Sequence, residues 1–179
     1  MGILTITTKV KFRVDDISRL GFEDAQFVAG ANDKITRRTR DAMPENDRLR
    51  AAITSSIEFL ELGEKQKALK LLDDSIADAN QEGRVGWVVA LSHHAAILCR
   101  HTGDLQLAKR YYEQSLSSEP ENPRALYGLA YVALEQGETE LARQYAEKSY
   151  KALMQCDDEI VKQGLLDLIL KNWPDLAVC

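Results

Sequence analysis

The first alternation of apolar and polar residues along the chain spans residues 4–14. Because successive side chains of an extended chain point to opposite faces, this period of two predicts a β-strand with one apolar and one basic face. The apolar row consists of Leu4, Ile6, Thr8, Val10, Phe12 and Val14. Residues 15–29 follow with the spacing of a helix whose inward positions are Ile17, Leu20, Ala25 and Phe27.

From about residue 48 onward the apolar pattern belongs to a repeat. Three segments that begin at Gly63, Gly103 and Gly137 align without a gap, each with an acidic residue next, alanine five positions on and serine twelve positions on. Gly103 and Gly137 are 34 residues apart, whereas Gly63 and Gly103 are 40 apart, and we place the surplus near residues 80–87. A period of this size is typical of stacked two-helix units.

Each unit has the residues that a helical hairpin needs. The glycine suits a left-handed residue at the end of the first helix, where a side chain would be penalised. The acidic residue after it favours the start of the second helix through the helix dipole. The alanines at 68, 108 and 142 permit a close approach of the two helices, and Leu69, Leu72 and Ile76 show the apolar spacing of an amphipathic helix.

These repeats resemble tetratricopeptide repeats, whose pattern runs from a large apolar residue through Leu-Gly, Tyr, Ala and Phe to Pro. The matching places in the third repeat are Leu126, Leu129, Ala130 and Ala142. Those in the second are Ala95, Ala96, Ala108, Tyr112 and Pro120, and those in the first are Ser55, Ser56, Phe59, Ala68 and Leu72. The small-residue position of the pattern reads Ser56, Ala96, Ala130 and Gly164, and we expect these four residues at close helix crossings.

The resemblance covers about residues 48–173 and implies an all-α fold. We expect a right-handed superhelix of helical hairpins, three repeats plus a capping helix, preceded by an N-terminal β-strand extension. The repeats fall at about residues 49–82, 89–122 and 123–156, the capping helix at 157–173 and the N-terminal extension at 1–47.

Net charge narrows the classes of partner. Residues 1–50 hold 10 Lys and Arg against 8 Asp and Glu, a balance of +2, and residues 51–179 hold 13 against 20, a balance of −7. An acidic body disfavours nucleic acid as a ligand. No apolar run reaches the length of a membrane span, and the first residues lack the apolar core of a signal peptide. Together with three cysteines that have no CxxC spacing, this predicts a cytoplasmic protein with free thiols.

A cluster of histidine and cysteine is the one place where metal or nucleophilic chemistry could be sought. His93, His94, Cys99 and His101 share one predicted helix, but none of them has the i, i+3 or i, i+4 spacing that places two zinc ligands on one face. A nucleophilic cysteine would also need an orienting group and an oxyanion site. The sequence therefore predicts no enzyme, no cofactor and no metal site.

The resemblance implies that the first helices of the repeats line a concave groove for peptides or helices. The groove positions here include Arg50, Ala90, Ile53, Ile57, His93, His94, Ile97, Arg100, Arg124, Tyr127, Tyr131 and Leu165. Of the five places of the clamp by which some members bind chaperone tails, only Arg124 fits. The groove is instead apolar and aromatic with a few cations, which suits an apolar segment that carries an acid or two. An alternative is that it holds the chain's own residues 15–45.

The sequence thus predicts a protein–protein interaction scaffold for a protein or peptide partner. A chaperone-like protein similar to three-repeat secretion chaperones is the alternative. We expect the strand to pair with a second copy in a homodimer through Leu4, Ile6, Val10, Phe12 and Val14. Strand addition to a foreign sheet and an unstructured tail are the other interpretations of this segment.

Overall fold

The computed structural model describes residues 45–156 and 159–178, and this part of the chain is helical with no strand. The predicted strand at 4–14 and the predicted helix at 15–29 lie outside the described residues. The helices of the described part are α1 (Glu45–Glu61), α2 (Lys65–Gln81), α3 (Val85–His101), α4 (Leu105–Ser118), α5 (Pro123–Glu135), α6 (Thr139–Met154) and α7 (Glu159–Asn172), followed by a 3-10 helix (Pro174–Val178). Consecutive helices pack on one another, as expected for a stack of hairpins.

Four of these helices end at a glycine in the left-handed conformation. Gly63, Gly83, Gly103 and Gly137 have φ of 77°, 68°, 77° and 78°. After α1, the N–H of Glu64 donates to the carbonyl of Phe59 at 2.7 Å and the N–H of Gly63 donates to Leu60 at 2.9 Å. The same pair of bonds recurs at the other three ends, and it satisfies carbonyls that the helix leaves open. The role predicted for Gly63, Gly103 and Gly137 is confirmed, and Gly83 adds a fourth turn of the same kind.

The acidic residue after three of these glycines lies at the N-cap of the next helix, and the predicted place of this residue at a helix start is confirmed. Helices α2, α4 and α6 start directly after Glu64, Asp104 and Glu138. The Asp104 carboxylate also accepts a hydrogen bond from the N–H of Leu107 at 3.3 Å. The two glutamates make no such bond. The shorter aspartate side chain is the better N-cap.

The longer step between the first two repeats is accommodated by helix rather than by loop. Helices α2 and α3 have 17 residues each, against 14 in α4 and 13 in α5. Only residues 82–84 separate α2 from α3, so the junction is as tight as a turn within a hairpin. The surplus therefore extends two helices by about one turn each.

Two clusters of buried side chains hold the described helices together. The first runs from α1 to α5 and the second from α5 to the 3-10 helix, and α5 contributes to both. Ser56, Ala96 and Ala130 are 0% exposed, which agrees with close helix packing at these small residues. Gly164 is exposed, and the expectation for it was wrong. A five-residue 3-10 helix follows α7 where a second long helix would have formed the crossing.

None of the described helices is both long enough and apolar enough to cross a membrane.

Candidate binding site on the odd-numbered helices

The predicted groove residues lie on four helices. Helix α1 carries Ile53 and Ile57, α3 carries the residues from His93 to Arg100, α5 carries Arg124, Tyr127 and Tyr131, and α7 carries Leu165. Helix α1 contacts α3, and α3 contacts α5, so these helices form one layer. We call the surface formed by the predicted groove residues of α1, α3, α5 and α7 the odd-helix face.

His94 lies inside the layer between α1 and α3. It is 7% exposed, and its Nε2 is 3.0 Å from Oγ of Ser56. The Ser56 hydroxyl donates to the carbonyl of Ile53 at 2.7 Å, so its oxygen is left to accept from the imidazole and Nε2 carries the proton. Burial lowers the pKa of His94 to about 4, which keeps the ring neutral. His94 therefore links two helices and is not available to a ligand.

Tyr127 and Leu165 belong to the second buried cluster. They are 9% and 6% exposed and pack with Ile169 and Trp173. Burial raises the pKa of the Tyr127 hydroxyl, and the Asn172 side chain opposes that shift. Both residues thus hold α7 against α5.

His93 is a half-buried residue of the face. Its ring nitrogens are shielded from water and have no hydrogen-bond partner. Burial first, and then the electrostatic influence of Arg124, His94 and Arg100, lowers the pKa of His93 to about 3. Arg100 and Arg124 therefore direct positive potential at one neutral imidazole, although they come from different helices. The Arg100 guanidinium carbon also lies 4.3 Å from the ring centroid of Tyr131.

Tyr112 of α4 packs beside His93, although it belongs to an even-numbered helix. Its ring centroid lies 5.5 Å from that of His93, and Arg100 acts on its hydroxyl, whose pKa burial raises to about 12. Gly128 of α5 makes room for it, because a Cβ there would lie 2.7 Å from Cδ1 of the tyrosine and closer still to Cε1 and Cζ. The sequence indicated Tyr112 only as a matching place of the second repeat, and it gave no role in packing to Gly128. The signal that could have joined them is a large residue and an absent side chain at facing positions of neighbouring repeats.

Arginine and aromatic side chains of the kind found on this face are frequent in binding sites. Within the described residues no group of three His, Cys, Asp or Glu is arranged to hold a metal ion. Cys99 is fully buried, and burial raises the pKa of its thiol to about 12, so it is not a thiolate at neutral pH. The face presents the guanidinium of Arg100 over the ring of Tyr131 and a second arginine, Arg124, and the half-buried side chains along it are Ile53, Ile57 and Ile97.

Comparison with known proteins shows which family of helical repeats the chain is similar to. Residues 100–155, from the end of α3 to the end of α6, match the family model described as tetratricopeptide repeat. Cellulose synthase operon protein C of Pseudomonas fluorescens (strain SBW25) is 30% identical over 115 residues, which are 62% of this chain and 9% of that protein. The chain therefore corresponds in length to a small part of this curated relative. The resemblance to tetratricopeptide repeats is confirmed, and such repeats generally mediate protein–protein interaction.

Proposed function

We propose that the odd-helix face binds a protein segment that combines apolar side chains with one or two carboxylates. The observation that carries the proposal is the contact of the Arg100 guanidinium with the ring of Tyr131, 4.3 Å from its centroid, on the same face as Arg124. Guanidinium groups form strong charge-assisted hydrogen bonds with carboxylates, and arginine and tyrosine are frequent energetic centres of interfaces. An apolar face with such anchors is typical of a surface that accepts a helix or an extended peptide.

The net charge of the repeat region is opposite in sign to that of Arg100 and Arg124. Residues 51–179 carry a balance of −7, so an acidic partner is repelled over most of the surface. Arg100 makes its described contact with an aromatic ring, and no ion pair of the described residues includes it. A carboxylate of the partner would therefore pair with Arg100 without displacing an acid of the protein from it.

The probe for the test is a peptide selected from a random display library with the full chain. We expect selected peptides to combine aromatic or aliphatic residues with Asp or Glu. Fluorescence anisotropy should then show about tenfold weaker binding for Arg100→Ala and for Tyr131→Ala, because each removes a direct contact of about 1.4 kcal/mol. Replacement of the peptide acids by Asn or Gln should weaken binding to the wild type but not to Arg100→Ala.

Arg110→Ala is the matched control, since Arg110 is an exposed arginine on α4. Tyr127→Ala is unsuited to the test, because the buried Tyr127 also holds α7. If Arg100→Ala and Tyr131→Ala bind the selected peptide as the wild type does, the odd-helix face is not the binding site.

Two further predictions from the sequence concern the oligomeric state and the location of the protein. We propose that the chain is a homodimer through the strand at residues 4–14, and that it acts in the cytoplasm. The alternating apolar row of that segment supports the first, and the free-thiol pattern and charge support the second.

A further inference from the structure

A long stretch of the chain precedes the odd-helix face in sequence and is a candidate ligand for it. Helix α1 begins at Glu45, the first described residue, and 44 residues precede it. Ile53 of the face is eight residues into α1, which is about 12 Å along the helix. Any segment shortly before residue 45 is therefore tethered within reach of the face.

Residues 15–29 have the composition that the face favours. They contain Asp15, Asp16, Glu23 and Asp24 against the single cation Arg19, which leaves a balance of −3. They also contain Ile17, Leu20, Phe22 and Phe27. The segment is thus apolar and acidic, and it complements a face with half-buried isoleucines, Tyr131 and two arginines.

The connecting residues are long enough for the segment to return to the face. Residues 30–44 form a tether of 15 residues, whose root-mean-square span is about 20 Å if it is flexible. That span is comparable with the length of α1, about 25 Å. The segment can therefore lie beside α1 and α3 without strain in the tether.

We propose that residues 15–29 occupy the odd-helix face of their own chain and must leave before another protein segment binds. The inference rests on the function proposed for this face and adds a regulator to it. A tether of this length gives an effective concentration on the order of 1 mM. A segment with an intrinsic dissociation constant of about 100 µM would then fill most of the sites, and it would weaken the apparent affinity for a competitor about tenfold.

Comparison of the full-length wild type with a full-length double variant tests whether residues 15–29 occupy the face. The variant carries Phe22→Ala and Phe27→Ala, which remove the large apolar groups of the segment. The probe is a labelled synthetic peptide with the wild-type sequence of residues 15–29. We expect the double variant to bind it about tenfold more tightly than the wild type does, and Arg100→Ala in the variant background to abolish the gain. Arg110→Ala in the same background should retain it.

Hydrogen exchange gives an independent measurement. The amides of residues 15–29 should be protected in the wild type and lose protection in the double variant. Protection that is equal at about 1 and 100 µM protein supports occupation within one chain. Protection that grows with concentration would mean that the segment comes from a second copy, which overturns the proposal.

The library peptide separates this inference from the proposed function. Equal affinity of that peptide for the wild type and the double variant overturns self-occupation but leaves the binding site in place. Failure of every peptide to depend on Arg100 or Tyr131 overturns both.

Discussion

The packing of Tyr112 into the space beside Gly128 leads to an unusual expectation for a glycine inside a helix. Gly128→Ala should gain about 1 kcal/mol from helix propensity, because alanine is the better helix former. The new Cβ would overlap the ring of Tyr112, which is 1% exposed and packed against His93. Overpacking of a tight core typically costs about 1–3 kcal/mol. We therefore expect Gly128→Ala to leave stability unchanged or to lower it by up to about 2 kcal/mol.

Gly86→Ala is the matched control within the same protein. Gly86 is also helical, in the first turn of α3, but nothing lies within 4 Å of the position of an added Cβ. This variant should be stabilised by as much as about 1 kcal/mol, since only helix propensity acts there. The difference between the two alanine variants thus isolates the overlap with Tyr112.

A double-mutant cycle locates the effect in the tyrosine ring. In a Tyr112→Leu background the ring is gone, and Gly128→Ala should now stabilise the protein. In a Tyr112→Phe background the ring remains, and the cost of Gly128→Ala should persist. Urea unfolding followed by circular dichroism supplies the free energies, with the slope of the transition checked for constancy. If Gly128→Ala stabilises the wild type as much as Gly86→Ala does, the packing argument is wrong.

Three further predictions follow from other parts of the molecule. Burial holds the pKa of His93 and His94 at about 3 and about 4, below the usual value of 6.5, so the unfolded chain binds more protons below pH 6.5 and stability must fall there. Between pH 7.5 and 5 each buried histidine should lower the free energy of unfolding by about 2 kcal/mol, measured by urea unfolding, and His94→Gln should reduce this dependence on pH. Ala130→Leu, at a position that is 0% exposed, should lower stability by about 1–3 kcal/mol, and an unchanged midpoint would contradict the close packing seen there. Light scattering should give a dimer for the full chain and a monomer for Val10→Pro, since proline removes a backbone donor of the predicted strand; a monomeric wild-type chain would rule the dimer out.

The helices and their ends were predictable because their signals are local. A glycine, an acid and an apolar period of 3.6 residues act within one hairpin, and Gly63, Gly103 and Gly137 end helices as expected. The exposure of Gly164 was not predictable in this way, because a close crossing needs a second long helix and a short 3-10 helix follows α7 instead.

The site was predicted as a list of positions, and its internal arrangement was not. The repeat pattern indicates which residues face the groove, but exposure depends on side chains from other helices. His94 is hydrogen-bonded to Ser56, and Tyr127 is buried against α7. The entry of Tyr112 depends on Gly128, 16 residues away, and only the packed structure joins the two.

Helix α5 belongs to both buried clusters, and this makes it a mechanical link between the halves of the array. It gives Ala125, Leu129 and Val132 to the first cluster, and Ala130 and Ala133 to the second. In a linear array each half could otherwise open by itself, since contacts reach only to neighbouring units. A ligand bound by Arg124 and Tyr131 would contact this shared helix and would therefore stabilise both halves of the array. Local unfolding of either end should then become rarer. A chain that unfolds in two steps without the ligand should unfold in one step when the ligand is bound.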